Sequence, residues 1–195
     1  PMYPSDKLIE MGTEVNADYI VMSDYPAQHQ SKTIDAAIEM APQLREAGFG
    51  TFFVPQSEIG DIEGLVEAFK WAAESEHVDY IGVSILAVPN AYGVDNGKMI
   101  HMLGMVDGPN EIELCAQYMD LVDTWDSSAA IWAGLHEITF DNSPSGLVDG
   151  KFEKEVNFDY KLVGMDSTRA LNLVAACASN IYTIDNMMEL TSERY

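Results

Sequence analysis

The sequence predicts an α/β fold built on a parallel sheet. Three observations carry that expectation. A short apolar run, a turn and an amphipathic stretch recur along most of the chain. The apolar runs are nearly continuous, as they are in strands buried on both faces. The amphipathic stretches between them have the spacing of crossover helices, which parallel strands require.

The first unit pairs DYIVMSD (18–24) with SKTIDAAIEMAPQLREAG (31–48), where Ser31 is a possible cap and Gly48 a stop. The second pairs TFFVPQ (51–56) with DIEGLVEAFKWAAESE (61–76). DYIGVSILAV (79–88) reads as a third strand. MIHMLGMV (99–106) reads as a fourth, followed by PNEIELCAQYM (109–119). The fifth strand is LVDTWD (121–126), with SSAAIWAGLH (127–136) as its helix. Residues 137–165 predict a hairpin excursion, centred on GLVDGKFEKEVNFDYKL (146–162). Residues 166–195 predict a helical tail capped by Asp166 or Ser167.

A chain of 195 residues suffices for one domain with a real core. Two architectures suit the pattern, a doubly wound sheet and a (β/α)₈ barrel. A complete barrel takes about 250 residues, so a barrel here is a partial one of about five units. An incomplete barrel leaves a sheet edge uncovered. The expectation is therefore a homo-oligomer, or a partner chain that completes the barrel.

Thirty-two acidic residues against ten basic ones give a net charge of −22. That disfavours a broad tRNA or DNA footprint, which needs clustered Lys and Arg. It suits a heavily solvated surface. No apolar run reaches the roughly 18 residues of a membrane span, and PMYPSDKL lacks the features of a signal peptide. The expectation is a soluble, cytoplasmic chain. Cys115 and Cys177 are too few and too far apart for a disulfide framework or a Cys-rich zinc site. His29, His77, His101 and His136 show no metal-ligand spacing, and there is no phosphate loop and no GxSxG elbow. No cofactor or metal is expected.

In either architecture, functional groups stand at the C-terminal ends of the strands. Those ends carry Asp24, Gln56, Gly82 with Ser84, His101 with Gly104, and Asp126. Each has a plainer reading. Asp24 starts a turn before Pro26, and Gln56 is a loop residue. His101 packs in the core, and the glycines serve packing. Asp126 caps the helix that begins near Ser127. Asp123 lies out of phase with Asp126 and is a second-choice carboxylate. The chemistry that remains is that of carboxylates, such as attack on an anomeric carbon through a covalent intermediate.

DYIVMSDYP, FFVPQSEIGDIEGL, VDYIGVSILAV, IHMLGMVDGPNEIEL and DLVDTWDSSAAIWA follow one another in an order that resembles the tRNA-guanine transglycosylases. The likeness spans about residues 15–136 and is strongest to the archaeal-type (archaeosine) and phage DNA-modifying relatives of the queuine enzymes. Its most specific part is an H-x-L-G strand, a helix, and an aromatic–Asp–Ser–small run.

The resemblance implies a (β/α)₈ barrel that replaces guanine in tRNA or DNA with a 7-deazaguanine. By the same resemblance, Asp126 is the nucleophile on C1′, and Asp24 and Gln56 read the base. Gly82, Val83 and Ser84 form the loop against the base, and Gly104 with His101 shapes the pocket. Tyr25, Met22 or Met105 would cover the faces of the heterocycle. The family's other essential aspartate, in an Asp-Ser-Gly-type motif, has no counterpart in these residues. Its structural zinc site is missing as well, because residues 137–195 offer only Cys177 and no histidine. The alternatives are a non-catalytic base-binding partner subunit, or another carboxylate glycosidase on a barrel.

Overall fold

The structure is a computed structural model that describes residues 3–84, 97–104, 109–114, 116–136, 138–140 and 167–192. The expected hairpin, residues 85–88 of the third strand, and Met105 lie outside the described residues, as does Asp166. The chain divides into two compact units, Pro1–Leu103 with Leu121–Trp125, and Gly104–Asp120 with Asp126–Tyr195.

The first unit holds a five-stranded, all-parallel sheet of β1 (Tyr19–Val21), β2 (Gly50–Phe53), β3 (Tyr80–Ser84), β4 (Met99–Leu103) and β5 (Thr124–Trp125). The strands lie side by side in chain order. The order never reverses, and reversal is what defines a doubly wound sheet. Helices α1 (Ser5–Val15), α2 (Gln30–Glu46) and α3 (Ile62–Glu74) accompany the sheet. Helix α2 packs on β2 and on α3, while α1 packs on β1 and α2.

In-register partners in a parallel sheet share a face. One face carries Ile20, Phe53, Ile81, Val83, Ile100 and Met102, all buried. The Phe53 ring meets Trp71 of α3 at 5.1 Å, so this is the helix-covered side. The opposite face carries aromatic rings. Phe52 stacks on Tyr80 at 5.6 Å and 4°, and Tyr19 meets Tyr80 edge-on at 4.8 Å. His101 meets Phe52 edge-on at 5.4 Å. This side is less covered, with Tyr19 45% and Val21 50% exposed.

Local chemistry sets the element ends. Asp61 caps α3 by accepting the Gly64 N–H at 2.9 Å. Helix α2 starts one residue earlier than expected, with His29 at the N-cap accepting the Ser31 N–H through Nδ1. Gly48, at φ +94°, ends the turn after α2 as expected. Helix α1 occupies a stretch for which the sequence assigned no element. The fifth strand is shorter than 121–126, because a 3₁₀ helix fills Ala116–Leu121. Asp123 explains where pairing begins. Its N–H donates to Ile100 O at 2.9 Å, and its carboxylate accepts the Ile100 N–H at 2.7 Å. Asp79 does the same beside β2, accepting the Thr51 N–H at 2.9 Å.

The described part of the second unit holds the helices α4 (Pro109–Leu114), α5 (Ala129–Leu135) and α6 (Ser167–Ser192). Helix α6 packs on both others. Gly134 lets α5 approach α6 closely, since a Cβ there would lie 2.7 Å from Cys177 Cα. Asn180 is fully buried and satisfied on three sides. Its Nδ2 donates to Ala130 O at 3.2 Å and to Ile138 O at 2.9 Å, and its Oδ1 accepts the Phe140 N–H at 2.6 Å. No described helix is long and apolar enough to cross a membrane.

Asn180→Ala strands these three backbone groups in the core and is expected to cost roughly 3 kcal/mol. Denaturant unfolding measures it, and a loss below about 0.5 kcal/mol would show that Asn180 is no clamp.

Candidate functional site

Parallel strands bring all their C-terminal ends to one edge of the sheet. At that edge β1 runs on through Met22 and Ser23 into Asp24, and β2 through Val54 and Pro55 into Gln56. The structure brings these two predicted residues together. Gln56 Nε2 donates to Asp24 Oδ2 at 2.6 Å. Both side chains are half-buried. The backbone beside them is held as well, because the Tyr25 N–H donates to Thr33 Oγ1 of α2 at 3.0 Å.

Two cavities open on this pair. One, of about 320 Å³, is lined by Gln56, Leu65, Phe69, Val83, Ser84 and Leu103, with Gly82 at its wall. The other, of about 510 Å³, is lined by Tyr3, Leu8, Val21, Asp24, Tyr25 and Gln28. Tyr3 and Leu8 were not anticipated from the sequence, because α1 was not. The signal for them was the helical spacing of Leu8, Gly12 and Val15. Tyr25 lines the second cavity as expected of a covering ring. Met22 lines the same cavity, although it is 2% exposed and packs in the core.

Gly82 has a packing role that the structure makes explicit. A Cβ there would lie 2.9 Å from Phe52 Cζ, so the glycine admits the Phe52 ring across β3. His101 sits on the same aromatic face, with Nδ1 2.8 Å from Thr124 Oγ1.

Asp126 and Gly104 belong to the second unit. Asp126 is exposed, and its Oδ1 accepts the Gly104 N–H at 3.2 Å. Gly104 stands at φ +51°, a left-handed turn that a glycine adopts without strain. The N-cap position of α5 is Ser128, and the Ala129 N–H donates to Ser127 Oγ at 3.0 Å. Asp126 therefore is not the cap that its propensity suggested.

The zinc site implied by the resemblance finds no fit in the described residues. No three His, Cys, Asp or Glu side chains there group as a metal would need. Cys177, the one cysteine after residue 137, donates its thiol to Ile131 O at 3.6 Å and packs against Gly134. Burial pushes the Cys177 thiol pKa up, against a smaller lowering by a backbone hydrogen bond.

No protein-family model and no curated protein matches this chain.

Two outcomes follow from this geometry. Gly82→Ala is expected to cost about 1–3 kcal/mol by forcing the Phe52 ring aside. Adding Phe52→Leu should recover part of that loss, and a strictly additive double variant would refute the contact. Cys177 should react slowly with iodoacetamide at pH 7, faster only as the pH passes its raised pKa. The sign is that of a group kept protonated by the fold. Its stabilisation is complete below the ordinary thiol pKa and is lost as pH rises through the folded one. Mass spectrometry of a Cys115→Ser protein reads the rate, and free-cysteine reactivity at pH 7 would contradict the burial.

Proposed function

We propose that this chain is a transglycosylase-like protein that exchanges guanine in tRNA or DNA for a 7-deazaguanine. The observation that carries the reading is the Asp24–Gln56 pair at the C-terminal edge of the sheet. A carboxylate beside a carboxamide matches the edge of a guanine-type base. Asp24 accepts from the base N1–H and 2-amino group, while Gln56 Nε2 turns from Asp24 to donate to O6. An adenine-type edge offers the wrong donors and leaves the carboxylate unpaired, which is a strong basis for rejection. The half-buried setting strengthens both bonds.

We further read the sheet as part of a (β/α)₈ barrel. The sequential strand order supports this, as do two helices on one face and a less covered aromatic face opposite. In such a barrel the residue after β5 is a mouth position, and Asp126 is that residue.

In the exchange, an Asp126 oxygen bonds to C1′ as the C1′–N9 bond breaks, and the electron pair leaves on guanine N9, which takes a proton. The incoming base then attacks C1′ through its own deprotonated N9 and frees the carboxylate. The Gly104 N–H fixes one carboxylate oxygen for the attack.

The test is to incubate the protein with guanine-containing tRNA or DNA and labelled 7-deazaguanine, then trap the adduct on a denaturing gel. Asp126→Asn should abolish the adduct, and an unchanged adduct would reject Asp126 as nucleophile. Asp24→Asn should weaken binding of the free base about 10–100-fold, the cost of a charge-assisted hydrogen bond. Saturable base binding without any adduct would point to a non-catalytic base-binding subunit.

A further inference from the structure

The segment between β1 and α2 is tied to its surroundings at several points. The Ser23 hydroxyl donates to Tyr3 O at 2.9 Å, and the Asp24 carboxylate accepts from Gln56 Nε2. The Tyr25 N–H donates to Thr33 Oγ1 at 3.0 Å. The Gln28 N–H closes a turn on Tyr25 O at 3.3 Å, and Gln28 Oε1 accepts from Lys32 Nζ at 2.7 Å. Within that turn Pro26 takes the second position and Ala27 the third, at φ +58°. A positive φ at the third position normally belongs to glycine. Asn16, the other described non-glycine residue at positive φ, ends helix α1, where that conformation is usual. Ala27 has no polar side chain to offset the strain, so groups outside the turn hold its shape.

Thr33 is the buried member of that set. It is 1% exposed, so water does not reach its hydroxyl. Its Oγ1 is a fixed acceptor, because a β-branched side chain has few choices of χ1 in a helix. The N–H that it takes belongs to the peptide unit joining Asp24 to Tyr25. That unit is planar. Holding its N–H therefore sets the direction in which Asp24 presents its carboxylate. The same bond sets where Tyr25 stands in the wall of the cavity of about 510 Å³.

We propose that Thr33 is a positioning residue for the base site. Through the Tyr25 N–H it aims the Asp24 carboxylate at Gln56 and at the bound base. The second half of that statement rests on the base-exchange reading, and the first half does not. Valine in place of Thr33 keeps the shape and removes the acceptor. The Tyr25 N–H then lacks its partner, and the strained turn is free to find another shape.

The first measurement needs no ligand. In nuclear magnetic resonance spectra of the full chain, the Gln56 side-chain N–H bonded to a carboxylate should stand downfield of an ordinary glutamine amide. Thr33→Val should move that signal back towards the ordinary position, and Thr33→Ser, which restores the acceptor, should return it. Thr33→Ala is a second variant without the acceptor, and the backbone amide spectrum checks the fold of each. A Gln56 signal unmoved by both Val and Ala overturns the proposal, whether or not a base binds. Titration calorimetry with 7-deazaguanine is the second measurement. Thr33→Val should weaken binding about tenfold, and Thr33→Ser should leave it within about twofold of wild type. In an Asp24→Asn background, Thr33→Val should cost no further affinity, since no carboxylate is left to aim. Equal losses in the two backgrounds overturn the proposal, because they report a general loosening of the fold. A wild-type protein that binds no 7-deazaguanine, with a Gln56 signal that moves as expected, rejects the base-exchange reading and keeps Thr33 as the residue that aims Asp24.

Discussion

The sheet rests on a steric arrangement between rings and glycines. Tyr19 of β1 lies over Gly50 of β2, and Phe52 of β2 lies over Gly82 of β3. Either glycine, given a Cβ, would collide with the ring. Each aromatic therefore leans one strand over, into space that only a glycine leaves. A one-residue slip would turn the rings to the helix side and the aliphatic set outward. The pattern thereby pins β1 to β2 and β2 to β3 in one register. Register decides which residues emerge together at the C-terminal edge. Asp24 and Gln56 meet at 2.6 Å because their strands are locked in this way.

The acidic composition has a structural side that net charge alone conceals. Asp61 closes the start of α3 on the Gly64 N–H. Asp79 takes the Thr51 N–H and pairs with Arg45 at 2.8 Å, and Asp123 takes the Ile100 N–H. Both of these strand aspartates sit where a ladder begins and a neighbour's N–H would lack a partner. A carboxylate is a strong acceptor there. The Arg45–Asp79 pair is itself too exposed to add much. The remaining acids lower stability through mutual repulsion and raise solubility. An excess of this size is tolerated because the sheet unit's cohesion comes from apolar burial and ladder bonds.

Much of the fold was legible because strand periodicity and turn residues are local signals. The starts of the first four strands lie within about a residue of expectation. What was missed depends on distant partners. Helix α1 contains Gly12, which lowers helix propensity. Yet Gly12 is there because a Cβ would strike Ile20 of β1. Asn180 looks like an ordinary polar helix residue, and its partners lie some 40 to 50 residues upstream. At the site, the strand-end rule selected Asp24 and Gln56 but not their direct bond. It also placed Gly82 without revealing that Phe52 occupies the space beside it.

Asp126 illustrates how local rules compete. A short Asp-Ser-Ser run before a helix offers three capping residues. Position settles which one serves. The N-cap falls on Ser128, and Ser127 takes the Ala129 N–H. That leaves Asp126 two residues too early to cap. It faces instead the left-handed turn at Gly104, whose N–H it accepts. Its carboxylate stands exposed directly after a strand, oriented by the neighbouring turn. Ser127 takes the Ala129 N–H in its place.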